Sequence, residues 1–168
     1  QVQDGHWAAC HYVDGYEGTA EDVVIPYLYN GEIVQFISDA FTYNTTIKSV
    51  VIGGGVEYLY ESFKYCTNLE SVTFMSDLLE IGYEVFMGCT KLTSITLPSS
   101  LEFIGFRAFT ESGLTHINIP ASVYSLDDPF INCTALTSIT VEDGNRYYFD
   151  IDGVLFGTWD GENYLLCY

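Results

Sequence analysis

Cationic side chains are scarce in this chain. Its 168 residues hold 5 Lys plus Arg against 23 Asp plus Glu, a net charge of −18. Nucleic-acid affinity rests on cationic neutralisation of phosphates, so DNA and RNA are excluded as partners. Anionic membrane surfaces are disfavoured for the same reason. Long apolar runs are missing: no stretch approaches the roughly 18–20 apolar residues of a membrane span, and membrane insertion is not expected. A basic-then-apolar leader is missing as well, so any signal peptide is absent or already removed and the compartment stays open on that ground. Catalytic spacings are absent too. There is no Gly-x-Ser-x-Gly elbow and no His-Glu-x-x-His or Cys-x-x-Cys pair, and Gly53-Gly54-Gly55 lacks the Lys-Ser/Thr of a phosphate loop. These gaps leave no catalytic residue and no cofactor to name.

Apolar residues make up 48% of the chain, enough for a packed core in one domain. They are distributed with a period. The stretch Leu92–Gly113, LTSITLPSSLEFIGFRAFTESG, is followed at Leu114 by LTHINIPASVYSLDDPFINCTA. Phe41, Phe63, Phe86, Phe109 and Phe130 recur at spacings of 22, 23, 23 and 21. Strand-like pairs run in step: Val23/Ile25, Val50/Ile52, Val72/Phe74, Ile95/Leu97, Ile117/Ile119 and Ile139/Val141. A second apolar pair follows each: Val34/Ile37, Val56/Leu59, Leu78/Ile81, Leu101/Ile104 and Val123/Leu126. So short a period means stacked units that bury one another.

The pattern predicts a leucine-rich repeat solenoid, mainly β and right-handed. One parallel sheet is built from one strand per unit, with turns and short 3₁₀ segments on the return side and β-hairpin caps. Residues 1–22 are an N-terminal cap containing a strand over residues 6–13, residues 23–135 are five repeats, and 136–168 are the last repeat strand plus a β-meander cap. Asp152-Gly153 and Asp160-Gly161 mark the meander's turns. The whole is a single solenoid domain, expected to be a fragment of a longer chain.

With the units aligned, the chain resembles the BspA-like leucine-rich repeats, typified by LTSITIPxSVTxIGxxAFxxCTx. The closest units are LESVTFMSDLLEIGYEVFMGCTK (69–91) and LTSITLPSSLEFIGFRAFTESG (92–113). GYEGTAEDVVIP at the start and IDGVLF near the end match the family's flanks, so the resemblance spans about residues 12–168. Departures are local: Ser112 stands for Cys, Asp127-Asp128-Pro129 for a Gly-containing run, and Gly53-Gly54-Gly55 for a Pro-containing turn. The resemblance implies a secreted or surface-anchored bacterial protein that binds host or neighbouring-cell proteins or glycans. It carries over no catalytic residue.

Cys66, Cys89 and Cys133 share one slot, three residues after the ladder Phe, with Asn44 and Ser112 in the other units. A slot open to Cys, Asn or Ser suits a small side chain in a tight turn, so free, partly buried thiols are expected; a Cys66–Cys89 bridge is the alternative. Metal signals are weak. His6 and His11 are close in sequence, and Asp143, Asp150, Asp152, Asp160 and Glu162 could offer oxygens to calcium, but Asp-Gly pairs are explained by turns.

Two faces remain as binding surfaces. The strand face is polar and includes His116 and Asn118. The return face carries Phe36, Tyr58, Tyr60, Tyr83, Phe103, Phe106 and Tyr124 beside Asp39, Glu61, Glu84 and Asp127. Aromatic rings concentrate interface energy, although packing on neighbouring coils would also explain them. The expectation is therefore a non-enzymatic, extracellular or surface recognition module, monomeric, contacting an extracellular protein or glycan. The other readings are a structural spacer in a larger surface protein and an accessory domain of a carbohydrate-active protein.

Overall fold

The computed structural model describes residues 12–167. Alternating apolar positions make short strands with one dry and one wet side: along Asp22–Ile25, Val23 and Ile25 are buried while Asp22 and Val24 are exposed. In chain order the strands are β1 (Tyr12–Val13), β2 (Asp22–Ile25), β3 (Leu28–Tyr29), β4 (Glu32–Ile33), β5 (Phe36–Ser38), β6 (Ser49–Ile52), β7 (Tyr58–Tyr60) and β8 (Ser71–Phe74). They continue with β9 (Glu80–Ile81), β10 (Phe103–Ile104), β11 (His116–Ile119), β12 (Ser125–Leu126), β13 (Ser138–Val141), β14 (Tyr148–Ile151), β15 (Val154–Trp159) and β16 (Glu162–Cys167). They wind as a β-solenoid of about five coils with parallel sheets and no helix among the described residues.

The first apolar pair of each unit stacks in register: Val23, Val50 and Val72 on β2, β6 and β8, then Ile117 and Ile139 on β11 and β13. Between β8 and β11 the fourth unit breaks this sheet, because Ser94–Leu97 forms no strand. The expectation of one strand in every unit does not hold at Ser94–Leu97, where two prolines stand beside the gap. In two coils the residue after the strand ties back to the preceding coil: the Met75 N–H donates to the Ile52 carbonyl and the Glu142 N–H to the Ile119 carbonyl, both at 2.9 Å. Pro98 and Pro120 occupy that position on either side of the gap and have no N–H to donate.

The return side also differs from the reading of turns and 3₁₀ pieces. The second apolar pair makes its own parallel sheet of six strands, in the order β1-β5-β7-β9-β10-β12, and no 3₁₀ turn occurs among the described residues. Stacking puts the same residue of successive coils at strand spacing, so segments of two or three residues find partners they would lack in isolation. Ile37, Leu59 and Ile81 are aligned, as are Ile81, Ile104 and Leu126.

A third ladder follows the phenylalanines. Two residues before and two after each ladder Phe the backbone is left-handed: Asp39 and Tyr43, Glu61 and Tyr65, Glu84 and Gly88, Arg107 and Glu111, Asp128 and Asn132. This conformation costs a non-glycine residue roughly 1–2 kcal/mol. It turns three N–H groups per coil toward the next coil. Glu61 donates to the Tyr83 carbonyl at 2.9 Å, Phe63 to Val85 at 3.0 Å and Tyr65 to Met87 at 2.7 Å, which offsets the strain. Between these arcs the rings of Phe41, Phe63, Phe86, Phe109 and Phe130 stack at successive spacings of 5.1, 5.6, 5.4 and 5.8 Å. Tyr16 lies 5.0 Å from Phe41 and covers the first ring.

At the other end β14, β15 and β16 form the expected meander, with left-handed φ at both residues of Asp152-Gly153 and Asp160-Gly161, as two-residue hairpins require. It is tied to the solenoid by the Ile139 N–H donating to the Gly153 carbonyl at 2.8 Å and the Leu126 N–H donating to the Tyr148 hydroxyl at 2.8 Å. An unforeseen hairpin, β3–β4, turns at Asn30-Gly31 within the first coil. The strand expected over residues 6–13 lies outside the described residues except for β1.

Candidate functional site

The strand face is wet and self-occupied. His116 is exposed, its Nδ1 lying 3.3 Å from the Thr115 hydroxyl. Asn118 is exposed and linked to the next coil through Glu142 at 3.2 Å and the Thr140 hydroxyl at 3.0 Å. Asn118 ties its coil to the next, while His116 stays within its own.

The return-side aromatics fall into separate columns. Phe36 and Tyr58 stack at 4.8 Å and 10°, because they share a register position on β5 and β7. In the following coils that position is Glu80 and then Phe103, so the column is interrupted. Tyr60 lies over Gly82: a Cβ there would fall 2.5 Å from the Tyr60 ring, so glycine is what lets the ring fold down. Burial, reinforced by Glu80, pushes the Tyr60 hydroxyl up to about 12. Tyr83 and Phe106 stack at 6.0 Å on the outside of the Phe arc, and Tyr124 meets Tyr147 edge-on at 6.3 Å. Of the seven, Tyr83 and Tyr124 are the exposed ones and the others are half-buried. A stacked column spends its ring faces internally and offers edges to a partner.

Two features escaped the sequence reading. Tyr43 and Tyr65 stack at 5.1 Å and 15°, with Tyr43 65% exposed. Their signal was present, a tyrosine two residues after the ladder Phe in successive units. The second is a charge cluster between coils. Glu84 is 4% exposed and ion-paired with Lys64, with Arg107 at 3.7 Å; Lys64 also reaches Glu61 at 3.3 Å. The Arg107 guanidinium sits 4.9 Å over the Phe106 ring. Burial pushes the Glu84 carboxyl up, but hydrogen bonds from Lys64 and Tyr83, with the charges of Lys64 and Arg107, outweigh it and hold the group below its usual range. The hydrogen bond to Glu84 raises Lys64 in turn. Spacing could not reveal this cluster, because its members come from three coils.

Two adjoining clefts lie where the fifth coil meets the meander. One, about 150 Å³, is lined by Leu126, Asp128, Pro129, Phe130, Ile131, Leu155 and Leu166. The other, about 260 Å³, lies between Leu126, Tyr147, Tyr148, Gly157, Thr158, Tyr164 and Leu166. In the cysteine slot, the Cys66 and Cys89 thiols are free and fully buried, donating to the Phe41 carbonyl at 3.0 Å and the Phe63 carbonyl at 3.1 Å. Cys133 is a half-buried thiol, as expected of all three; Cys66 and Cys89 lie deeper, and no bridge joins them. Among the described residues no three His, Cys, Asp or Glu side chains converge as metal ligands. In the acidic C-terminal segment weighed for calcium, the Asp150 carboxylate accepts the Val141 N–H at 2.8 Å. His6, His11 and Cys10 lie outside the described residues.

The scaffold is shared with solved structures. A leucine-rich repeat protein of T. pallidum superposes with a TM-score of 0.73 at 28% identity, covering 77% of this chain and 62% of its own. One from Bacteroides ovatus gives 0.69 at 28% identity, covering 81% and 39%. A leucine rich cell surface protein of Faecalibacterium prausnitzii gives 0.58 at 23% identity over 98% and 59%, a likeness of fold. The chain thus spans about two fifths to three fifths of the length of these structures. No curated protein matches it. The profile of the BspA type leucine rich repeat region matches residues 59–150 in six copies. Repeat period, coil architecture and that match over more than half its length place the chain in the BspA-type leucine-rich repeat family.

Proposed function

We propose that this chain is a non-catalytic recognition module at a bacterial cell surface or in the secreted space, binding an extracellular protein through its return side. The observation that carries the reading is the set of aromatic pairs, Phe36/Tyr58, Tyr43/Tyr65, Tyr83/Phe106 and Tyr124/Tyr147, displayed on a stacked core beside acidic residues. Coils locked by three ladders hold these rings with little ordering cost on binding, and pre-organised tyrosines are efficient contact residues. Protein is favoured over glycan because the stacked rings present edges, whereas a sugar ring packs on a free aromatic face. Family membership supports the surface location, and the Faecalibacterium relative is itself described as a cell surface protein.

The test is a panel of immobilised extracellular proteins beside a glycan array, probed with the parent chain and with the triple variant Tyr43→Ala/Tyr83→Ala/Tyr124→Ala. Saturable binding to a protein, lost in the variant while its melting curve is kept, is the expected result. Silence on both panels would favour the spacer reading, and binding confined to glycans would overturn the choice of protein.

A further inference from the structure

The strand side changes character along the solenoid. His116 and Asn118 belong to its polar half, which Thr96 and Thr140 continue. In the first three coils the column that Asn118 and Thr140 occupy later is filled by Val24, Val51 and Thr73, aligned by the pairing of β2, β6 and β8. Two residues further along each chain segment come Pro26, Gly53 and Met75, and the β3–β4 hairpin adds Leu28 beside Tyr27. Val24 is 45% exposed, Tyr27 51%, Leu28 48% and Met75 67%. Large apolar side chains left in water in one place mark an interaction surface.

The glycine run shapes this surface. A Cβ at Gly53 would run into the Ile25 carbonyl and Pro26, and one at Gly55 would fall 2.5 Å from Ile33 and 3.1 Å from the Tyr27 ring. One at Gly54 would lie 3.2 Å from the Met75 carbonyl. The coils approach too closely here for side chains, so the second coil offers bare backbone, with Tyr27 on the first-coil side and Met75 on the third. The opposite end of the same strands is acidic. Glu21, Asp22 and Glu70 are exposed, and the cation among them, Lys48, is paired with Glu21 at 2.7 Å. The hydrogen bond and charge of Glu21, with the charges of Glu70 and Asp22, raise Lys48. Three carboxylates against one ammonium leave this end negative.

We propose that the strand face of the first three coils docks a cationic amphipathic helix of a partner protein. Its apolar residues sit on Val24, Tyr27, Leu28 and Met75, and its Lys or Arg residues face Asp22 and Glu70. The shape fits: three strands span about 10 Å, close to the width of a helix, and the four residues from Asp22 to Pro26 span about 13 Å, some two helical turns. A helix binds through side chains, as a sheet face requires. An added strand finds no place, because β6 is already paired on both sides. A second copy of the chain is disfavoured by charge, since it would bring the same acidic end and a net −18 against itself. This surface is separate from the return-side aromatics, and the proposal stands or falls without them.

The probe is a fluorescent helical peptide of about 16 residues, built from Ala, Leu and Lys, with Leu at i, i+3 and i+4 in one half and Lys in the other. It is titrated with the full chain and followed by anisotropy. Saturable binding is expected, weakened about tenfold or more by Met75→Glu or Leu28→Glu and by replacing the peptide's Leu with Ala. Both protein positions are exposed, and melts matching the parent show that the fold is kept. Each Glu adds negative charge, so non-specific attraction of a cationic peptide would rise with these variants instead of falling. Ile151→Glu, the same change at an exposed residue of the meander, should not weaken binding. Asp22→Asn/Glu70→Gln should weaken it about threefold or more. No saturable binding at protein concentrations on the order of 1 mM, or equal effects of Met75→Glu and Ile151→Glu, overturns the proposal. So does self-association that Met75→Glu abolishes, since the occupant would then be a second copy. Tyr43→Ala/Tyr83→Ala/Tyr124→Ala should leave the peptide bound, and its loss there would move the site to the return side and overturn the assignment.

Discussion

The rings of Phe63 and Phe86 lie 5.6 Å apart and 3° from parallel, each fully buried with another phenylalanine on its far side. This pair is the centre of the column around which the three backbone ladders close. Phe86→Ala removes a ring stacked on both faces and should cost about 3–5 kcal/mol. Phe130→Ala, which removes a ring stacked on Phe109 alone among the described residues, should cost less. Urea unfolding followed by circular dichroism separates the two, and equal losses would show that the column is not cooperative.

Glu84 gives the chain a definable acid sensitivity. Its folded-state carboxyl lies below the ordinary value of 4.5, so its stabilising contribution is present above that value and is lost as pH falls through the lower folded-state value. Glu84→Gln should cost about 1–3 kcal/mol at neutral pH by leaving Lys64 partly uncompensated. The difference between variant and parent should shrink as pH drops below 4.5. Paired melts from neutral to acid pH test this, and a pH-independent difference would remove the ion pair from the account.

The two buried thiols should be inert in the folded chain. Burial pushes Cys66 up to about 12 and raises Cys89 well above its ordinary value, so neither supplies thiolate at pH near 8. Iodoacetamide followed by mass spectrometry should label neither until concentrated guanidinium is added. Cys66→Ser keeps a donor for the Phe41 carbonyl, and the slot holds Ser112 in the fourth unit, so the change should cost about 1 kcal/mol or less.

The break in the strand-side sheet should be visible in solution. Amides of Ser94–Leu97 lack the ladder bonds that protect β6, and a cleft opens beside them between Val72, Thr73, Phe74, Thr96, Leu97 and Pro98. Hydrogen exchange should therefore be faster across Ser94–Leu97 than across Val50–Ile52. Equal protection would mean that the missing donors at Pro98 and Pro120 do not matter.

How much of this was legible beforehand follows from what repeats. The phenylalanine column, both apolar pairs, the meander turns and the shared cysteine slot depend on residue type at a fixed interval, and a sequence states that directly. The return sheet was read as turns because two-residue strands have no pattern of their own. The left-handed arc was invisible because Asp, Glu, Arg, Tyr and Asn occupy positions where glycine would have announced it. Of the nine residues proposed as a surface, Phe36, Tyr58, Tyr60, Phe103 and Phe106 are half-buried, and Tyr43 was overlooked.

By itself, then, the sequence determined the period, the buried columns and the family, since burial in a solenoid is decided by which side chains recur. Tertiary structure alone decided what lies between coils. A hydrogen bond from Glu61 to Tyr83 and an ion pair from Lys64 to Glu84 both depend on stacking geometry. That geometry sets neighbours about one strand spacing apart that are some 22 residues distant along the chain.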